Sequence, residues 1–345
     1  MIDAPRPAKP LIALTRGDPS GIGPELALKA WRLTREDPEA PAFVIAAEAD
    51  HLGALARSLG IEAPIARVAS AAEALEAFSR SLPVLDSKGG VKGAPGKPHP
   101  DDAAATIASI ETCVDLVARG EAAAVVTNPI AKEILYRAGF AHPGHTEFLG
   151  VLAERLTGRK VLPVMLLWSP ELAVVPATIH IALKDVPGRL STELLIRTGQ
   201  IVSDDFQQRF GVARPRLAFT GLNPHAGEGG AMGREEIDII APALTALREA
   251  GVCVSGPHPA DTMFHAKARE SYDVAIAMYH DQALIPIKTL AFDHGVNVTL
   301  GLSFIRTSPD HGTAFGIAGQ GVADPSSLIA ALKLAGRLAR RALSS

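Results

Sequence analysis

Cysteine and aromatic residues are scarce in this sequence. Its two cysteines, Cys113 and Cys253, lie far apart in apolar surroundings, so we expect reduced, buried thiols and no disulfide framework of the kind used by small secreted domains. Aromatic residues make up 5% of the chain. The apolar content is mostly alanine, leucine, valine and isoleucine, which favours buried parallel strands covered by alanine-rich helices.

The sequence also lacks an excess of charge and a long apolar run. A formal net charge of −3 at pH 7 provides no basic field, which argues against nucleic acid as a partner. The longest apolar stretches, such as residues 161–168, fall far short of the ~20 residues that a membrane span needs. Residues 1–10 contain three prolines and no apolar run, which predicts neither a signal peptide nor an anchor. We therefore expect a soluble cytoplasmic protein.

Short β-branched runs alternate with longer helical patterns along most of the chain. The runs predict strands at residues 11–15, 42–47, 123–127, 161–167, 172–178, 216–220, 274–278 and 296–300. The longer patterns predict helices at residues 24–33, 71–79, 102–119, 130–138, 146–156, 189–210, 234–250 and 326–343. This alternation indicates an α/β fold with a largely parallel sheet. Residues 87–100, rich in glycine, proline and lysine, predict a long surface loop.

Three histidines follow predicted strands. His180 closes the run that begins at Leu172, His225 follows the strand at 216–220, and His280 ends the run from Val274. Because ligands of open α/β sheets bind outside the carboxyl ends of strands, these imidazoles could converge and hold a catalytic metal. A histidine at a strand end is more often a hydrogen-bonded structural residue, and the pattern alone leaves both interpretations open.

Three charged residues are further candidates for the chemistry. Asp261 lies in a polar, proline-rich loop and could serve the metal or the proton transfer, or only cap a helix. Lys288 and Arg306 each follow an apolar run, so we expect them to emerge where a strand leaves the core. Cations in such positions can bind a phosphate or carboxylate group of the substrate. The alternative is that each is an ordinary surface residue.

Three glycine-rich stretches could let backbone approach a ligand closely, although such stretches are often only turns. Gly17-Asp-Pro-Ser-Gly-Ile-Gly-Pro-Glu25 joins the first strand to a helix, where backbone N–H groups could meet an anion. It is not the G-x-G-x-x-G pattern, and no acidic residue follows a second strand at the expected place, so a standard Rossmann site is not expected. The other stretches cover residues 223–233 and 310–325.

Six motifs of the sequence are long and unusual. They are Gly17-Asp-Pro-Ser-Gly-Ile-Gly-Pro-Glu, Gly144-His-Thr-Glu-Phe-Leu-Gly, Leu222-Asn-Pro-His-Ala-Gly-Glu, Pro259-Ala-Asp-Thr-Met-Phe, Met278-Tyr-His-Asp-Gln and Gly295-Val-Asn-Val-Thr-Leu-Gly-Leu. Because it contains these six motifs in this order, the sequence resembles the 4-hydroxythreonine-4-phosphate dehydrogenase family of pyridoxal phosphate biosynthesis over most of its length. The first motif and the stretch from His311 to Pro325 also resemble the wider isocitrate and isopropylmalate dehydrogenase fold.

The resemblance implies roles for individual positions. His180, His225 and His280 match the family's metal ligands, which are shared between the subunits of a homodimer. The positions that match substrate contacts are His145, Thr146, Lys288, Asn297 and Arg306. The C-terminal glycine-rich stretch contributes to nicotinamide cofactor binding in the wider fold, which implies that role for His311, Gly312 and Gly319. Arg16, where we expect an uncharged residue, and Ala283, in place of glycine, depart from the pattern at positions without a matched function.

The reaction that the resemblance implies is a metal-dependent oxidation of 4-phosphooxy-L-threonine linked to NAD or NADP. The 3-hydroxyl would bind one divalent ion, zinc, cobalt or magnesium, and hydride would pass to the cofactor. The resulting 3-oxo acid would lose CO₂ and give 3-amino-2-oxopropyl phosphate. Lys288 and Asp261 are both candidates for the general base, and the sequence does not choose between them.

Three alternatives stay open beside this interpretation. A paralogous dehydrogenase would oxidise 4-phospho-threonate or 4-phospho-erythronate, which lack the amino group. A transferase with the layout of the phosphate acetyltransferases would keep the fold without the oxidation, and the three histidines argue against it. A non-catalytic binding module would give no reduction of NAD.

For the architecture we expect two α/β/α domains with an intervening cleft, as in the isocitrate and isopropylmalate dehydrogenases. The first domain is assigned to residues 1–140 and 305–345. The second domain is assigned to residues 141–304, which carry most of the metal and substrate residues.

Overall fold

A computed structural model describes residues 9–87, 90–142 and 144–342 of the chain. The chain divides into two compact units, of which the first takes the described residues of 1–161 and 302–344 and the second takes residues 162–301. The described residues of 141–161 and residues 302–304 therefore lie in the first unit, whereas we expected them in the second domain. Within the described residues, no helix has both the length and the apolar character needed to cross a bilayer.

Strands and helices alternate along both units. The strands are β1 (Leu11–Thr15), β2 (Ala42–Ala47), β3 (Ile65–Val68), β4 (Leu82–Asp86), β5 (Ala124–Val126), β6 (Val164–Trp168), β7 (Ala173–Pro176), β8 (Arg216–Thr220), β9 (Cys253–His258), β10 (Val274–Ala277), β11 (Val296–Leu300) and β12 (Arg306–Pro309). The α-helices are α1 (Gly23–Thr34), α2 (Ala49–Ser58), α3 (Ala71–Ala77), α4 (Ala103–Ala118), α5 (Lys132–Arg137), α6 (His145–Thr157), α7 (Val186–Arg189), α8 (Thr192–Asp205), α9 (Ala241–Glu249), α10 (Ala266–Arg269), α11 (His280–Ala291) and α12 (Ser326–Ala342). The predicted α/β class is confirmed.

The sheet of the first unit has the strand order β3-β4-β2-β1-β5-β12. Its neighbouring strands run parallel. Every residue of β1, β2 and β5 is buried, which explains why these strands read as apolar runs without a polar face. At the end of the order, Arg306 of β12 lies opposite Val125 of β5.

The sheet of the second unit has the order β11-β6-β7-β10-β8-β9 and mixes both strand directions. The pairs β7–β10, β10–β8 and β8–β9 are parallel, whereas β11–β6 and β6–β7 are antiparallel. Strands β6 and β7 are joined by a short turn in which the Ser169 N–H donates to the Leu172 carbonyl at 2.9 Å. A turn this short permits only an antiparallel pair, because parallel strands need a long crossover.

Helix α11 occupies a region where we expected a strand. Its buried residues Ala283, Leu284 and Ile287 form one helical face. Pro286 lies inside the helix, and since proline normally interrupts helices, it concealed the helical pattern. Lys288 therefore extends from a helix rather than from a strand end. The matching expectation for Arg306 is also wrong, because this residue begins β12 and is buried.

Part of the segment at residues 87–100, expected to be a free surface loop, is anchored. The backbone N–H groups of Lys92 and Gly93 each donate to the Asp102 carboxylate at 2.8 Å. The Gly96 N–H donates to the Ser20 carbonyl at 2.8 Å. Asp102 is the N-cap residue of α4, but its side chain makes no capping hydrogen bond and binds this segment instead. The segment is therefore fixed to the first glycine-rich stretch.

Candidate active site

Two of the three predicted metal ligands, His180 and His280, lie together in the second unit. His180 follows β7 and His280 begins α11 after β10, and these neighbouring parallel strands end side by side. The Thr178 hydroxyl donates to the Met278 carbonyl at 2.7 Å, which joins the two segments beyond the strands. The two imidazole ring centroids are 5.8 Å apart. Parallel pairing thus brings together two histidines that are 100 positions apart in the sequence.

Both imidazoles line a cavity of about 270 Å³. The other lining residues are Thr178, Ile179, Ile181, Leu183, Val186, Tyr279 and Asp281. His180 has a φ of +52°, in the left-handed region that residues other than glycine rarely adopt. The fold therefore holds an unfavourable backbone conformation at the residue that carries one imidazole into this cavity.

Asp281, which the sequence analysis did not select, orients His280. Its Oδ1 lies 2.7 Å from Nδ1 of His280. When Nδ1 donates its proton to this carboxylate, Nε2 keeps its lone pair, which is the form that a metal-binding histidine needs. The signal for Asp281 was its place directly after His280 in the Met278-Tyr-His-Asp-Gln motif.

His225, the third predicted ligand, lies in a separate loop of the same unit. Residues 225–229 all have positive φ, and His225 itself has a φ of +52°. The Glu236 carboxylate accepts hydrogen bonds from the N–H groups of Leu222 and Asn223 at 2.8 and 2.7 Å and so fixes the loop entrance. Within the described parts of the chain, no group of three His, Cys, Asp or Glu residues could hold a metal ion. A single chain therefore pairs His180 with His280 and does not add His225.

The remaining predicted residues of the second unit lie on three different elements. Asp261 is exposed in the 3₁₀ turn Ala260–Thr262. Lys288 is half-buried in α11, with its ammonium 5.7 Å from the centroid of the Phe292 ring. Asn297 is half-buried in β11 opposite Leu167. These positions leave the predicted roles of the three residues untested.

In the first unit, Arg306 and His145 form a cationic site. Nη2 and Nε of the buried Arg306 donate to the Thr127 hydroxyl at 2.6 and 3.2 Å. Burial lowers the pKa of Arg306 to about 10, so it stays positive at pH 7. His145 begins α6, and its pKa is lowered to about 3 by burial and by the charges of Arg306 and Lys132. Its imidazole is therefore neutral at pH 7, and Thr146 follows it in the first turn of α6.

The predicted cofactor residues His311 and Gly312 stand beside a direct contact between two glycine-rich stretches of the first unit. The Ile22 N–H donates to the Thr313 carbonyl at 3.0 Å. A Cβ atom on Gly21 would lie 2.9 Å from that same oxygen, so the close approach requires glycine. Nδ1 of His311 lies 3.0 Å from the Gly312 carbonyl oxygen.

The third predicted cofactor residue, Gly319, packs against the segment at 87–100. It has a φ of +73°, and a Cβ atom there would lie 2.5 Å from Cβ of Pro95. A Cβ on Gly96 would likewise come within 2.9 Å of the Phe315 carbonyl oxygen. The C-terminal glycine-rich stretch thus contacts both the first glycine-rich stretch and the anchored segment.

Arg16, the departure from the family pattern, has a structural role. It is 1% exposed, and its guanidinium forms an ion pair with Glu48. Nη2 also donates to the Asp102 carbonyl at 2.8 Å and to the Thr106 hydroxyl at 3.1 Å. A buried arginine with both a carboxylate and hydrogen-bond acceptors is compensated for the loss of water. Arg16 therefore links the ends of β1 and β2 to the start of α4.

Sequence comparison matches the chain to one protein family and to relatives that share one enzyme name. The family model described as pyridoxal phosphate biosynthetic protein PdxA matches residues 39–335. The chain is 59% identical over 332 residues to a 4-hydroxythreonine-4-phosphate dehydrogenase of Methylorubrum populi, an alignment that covers 96% of this chain and 95% of that protein. It is 57% identical over 340 residues to a protein of the same name from Bradyrhizobium diazoefficiens, covering 96% and 97% of the two chains.

Solved structures agree with these relatives. A 4-hydroxythreonine-4-phosphate dehydrogenase from Klebsiella pneumoniae superposes with a TM-score of 0.82 at 37% identity, covering 96% of this chain and 98% of that one. A terephthalate 1,2-cis-dihydrodiol dehydrogenase from Burkholderia xenovorans gives a TM-score of 0.64 at 30% identity, covering 95% and 98%.

Proposed function

Because the chain belongs to the PdxA family of pyridoxal phosphate biosynthetic proteins, we propose that it oxidises 4-phosphooxy-L-threonine, which is 4-hydroxythreonine 4-phosphate. The observation that carries this proposal is the 59% and 57% identity to relatives named for that activity, over nearly the whole of each chain. Oxidation at C3 gives a ketone β to the carboxylate, and loss of CO₂ then gives 3-amino-2-oxopropyl phosphate. When bound, NAD⁺ or NADP⁺ would supply the hydride acceptor for this oxidation.

A divalent metal ion, zinc, cobalt or magnesium, fits the histidine pair of the second unit. His180 and His280 line one cavity, and the hydrogen bond to Asp281 leaves Nε2 of His280 as a ligand atom. When bound, such an ion lowers the pKa of the substrate's 3-hydroxyl and polarises it. Two imidazoles are one fewer than the three protein ligands of most catalytic zinc sites.

Association of two chains into a homodimer would complete this ligand set, with His225 as the third imidazole. Large apolar side chains are exposed around the histidine pair, among them Leu183 at 66% and Ile181 at 39%. Ile285 of α11 is 64% exposed, and Phe292 after that helix is 76% exposed. Such exposure beside a polar site is typical of an interface rather than of a free surface. These features support a metal site shared between subunits.

The substrate contacts are assigned within each unit. In the first unit, Arg306 supplies a permanent charge to the phosphate, and His145 and Thr146 supply hydrogen bonds. In the second unit, Lys288 and Asn297 bind the remaining polar groups. The general base is Lys288 or Asp261. Each of these side chains can take a proton from the substrate hydroxyl in its deprotonated form.

The cofactor is assigned to the C-terminal glycine-rich stretch of the first unit. A Cβ atom on Gly312 would meet nothing within 4 Å, which leaves room for the nucleotide beside it and Gly319. His311 carries a buried Nε2 without a hydrogen-bond partner among the described residues. The residues of this stretch are compatible with NAD and with NADP.

Turnover of the purified protein tests the proposed function. With 4-phosphooxy-L-threonine and NAD⁺ or NADP⁺, we expect reduced cofactor and CO₂ to form in equal amounts. Parallel assays with 4-phospho-threonate and 4-phospho-erythronate should give lower kcat/KM values. A higher kcat/KM for 4-phospho-threonate or 4-phospho-erythronate would make that compound the substrate instead. If neither NAD⁺ nor NADP⁺ is reduced with any of the three compounds, the protein is not a dehydrogenase of this class.

His225→Ala tests the ligand set. We expect kcat to fall by more than about hundredfold. Loss of a residue that only hydrogen-bonds to a metal ligand already lowers metal affinity or activity by about 10- to 100-fold. The control is His294→Ala, because His294 pairs with Glu171 on the surface of the same unit and should keep full turnover. Unchanged kcat in His225→Ala, with metal still bound by elemental analysis, would remove His225 from the set.

A further inference from the structure

The cationic site of the first unit contains a residue that none of the sequence motifs selected. We propose that Lys132 binds the substrate phosphate together with Arg306 and His145. This inference rests on the proposed function for the identity of the phosphate ester. The anion site of the first unit itself does not depend on that function.

Lys132 lies against the start of α6. It begins α5, and a Cβ atom on Gly144 would lie 3.3 Å from both Cε and Nζ of Lys132. Gly144 is the N-cap of α6 and has no side chain to cap the first-turn N–H groups. The ammonium is thus held beside the amino end of a 13-residue helix, which favours negative charge.

A polar atom at this place lacks a partner. Nε2 of His145 is buried and has no hydrogen-bond partner among the described residues. A buried, unsatisfied ring nitrogen is costly in a folded protein, so its persistence points to a ligand that satisfies it. An anion accepts this hydrogen bond when Nε2 carries the proton.

The local charges also favour an anion. Arg306 and Lys132 both act on the His145 imidazole, and both are positive. Glu147 is the nearby carboxylate, with Oε2 3.0 Å from the same Cβ position on Gly144, but it forms no ion pair with Lys132 among the described residues. The charges of Arg306 and Lys132 therefore both act at the His145 imidazole, and Lys132 forms no ion pair with Glu147 among the described residues.

The negative charge of a phosphate monoester matches the two positive charges of Arg306 and Lys132. A phosphate monoester carries roughly −1.5 to −2 at pH 7. Arg306 supplies a single positive charge, and His145 is neutral and supplies none. Lys132 provides the second charge that a dianion needs, whereas a carboxylate would need only Arg306.

Replacing Lys132 by glutamine tests this assignment. We expect the KM for 4-phosphooxy-L-threonine and the dissociation constant of inorganic phosphate to rise by about ten- to hundredfold, with kcat at saturation nearly unchanged. Lys132→Arg should recover most of the affinity. Arg137→Gln is the matched control, because it removes an exposed cation at the other end of α5 and should leave both constants unchanged.

The outcomes separate the two proposals. If the wild-type protein binds inorganic phosphate by calorimetry, and Lys132→Gln weakens that binding, the anion site stands even where 4-phosphooxy-L-threonine is not turned over. If turnover occurs and Lys132→Gln leaves both KM and phosphate affinity unchanged, Lys132 is not a phosphate ligand. A lower kcat with unchanged phosphate affinity would equally overturn the assignment.

Discussion

At the scale of single residues, burial decides which groups carry charge at the candidate site. Arg306 keeps its charge although it is buried, because its ordinary pKa is so high that a fall to about 10 leaves it protonated at pH 7. His145 starts from 6.5 and falls to about 3, so the same desolvation makes it neutral. The site therefore combines the permanent charge of Arg306 with a neutral imidazole. This division of roles does not depend on pH near neutrality.

The lowered pKa of His145 predicts a pH dependence of stability. Below about pH 6.5 the unfolded chain binds a proton at this residue and the folded chain does not, down to about pH 3. The free energy of unfolding therefore falls as the pH falls through this window. His145→Gln should reduce the slope by up to about 1.4 kcal/mol per pH unit in urea unfolding at a series of pH values. The exposed His99→Gln is the control, and an unchanged slope in His145→Gln would contradict a buried neutral imidazole.

At the scale of elements, every predicted strand and helix is present, but the sequence missed the strands β3, β4, β9 and β12 and the helices α2, α7, α10 and α11. The bounds of β1, β2, β8 and β11 agree with the predicted ones, because buried β-branched runs between polar turns have few other conformations. Helix α11 was missed because Pro286 interrupts its pattern. The pairing of His180 with His280 followed from the rule for parallel strands. The positions of Arg306 and Lys132 did not, because they depend on long-range packing that local patterns do not encode.

The anchored segment predicts a specific effect of Asp102. Asp102 is buried and accepts two backbone hydrogen bonds from the segment at 87–100. Asp102→Ala should leave these N–H groups without a charged acceptor and lower the free energy of unfolding by about 1–3 kcal/mol. Hydrogen exchange measured by mass spectrometry should become faster at Lys92 and Gly93. The neighbouring Asp101→Ala is the control because Asp101 is exposed, and equal exchange in both variants would contradict this anchoring role.

At the scale of the whole molecule, the proposed metal site needs ligands from two chains. The described residues pair two histidines in the second unit and leave His225 in a loop fixed by Glu236. In the proposed homodimer, the exposed apolar residues around the histidine pair would contact the second copy. Metal binding and association should therefore be thermodynamically linked, so that each strengthens the other.

Leu183→Glu tests this linkage. Leu183 lines the cavity and is 66% exposed, so the substitution should leave the fold intact while placing a charge in the proposed interface. We expect a monomer by light scattering and a metal affinity that falls by at least about tenfold. Leu33→Glu, at 63% exposure in the first unit, is the matched control and should remain dimeric with unchanged metal affinity. If the Leu183→Glu protein remains dimeric, the interface lies on another surface of the chain.

The positive φ angles of His180 and His225 set a compromise between stability and activity. A left-handed backbone costs roughly 1–2 kcal/mol at a residue with a Cβ atom, and glycine or asparagine would relieve it. A metal role for both imidazoles, as proposed above, would account for histidine at these two positions despite this cost. A search for more thermostable variants would be drawn to positions 180 and 225, where we expect the more stable protein to be the poorer catalyst.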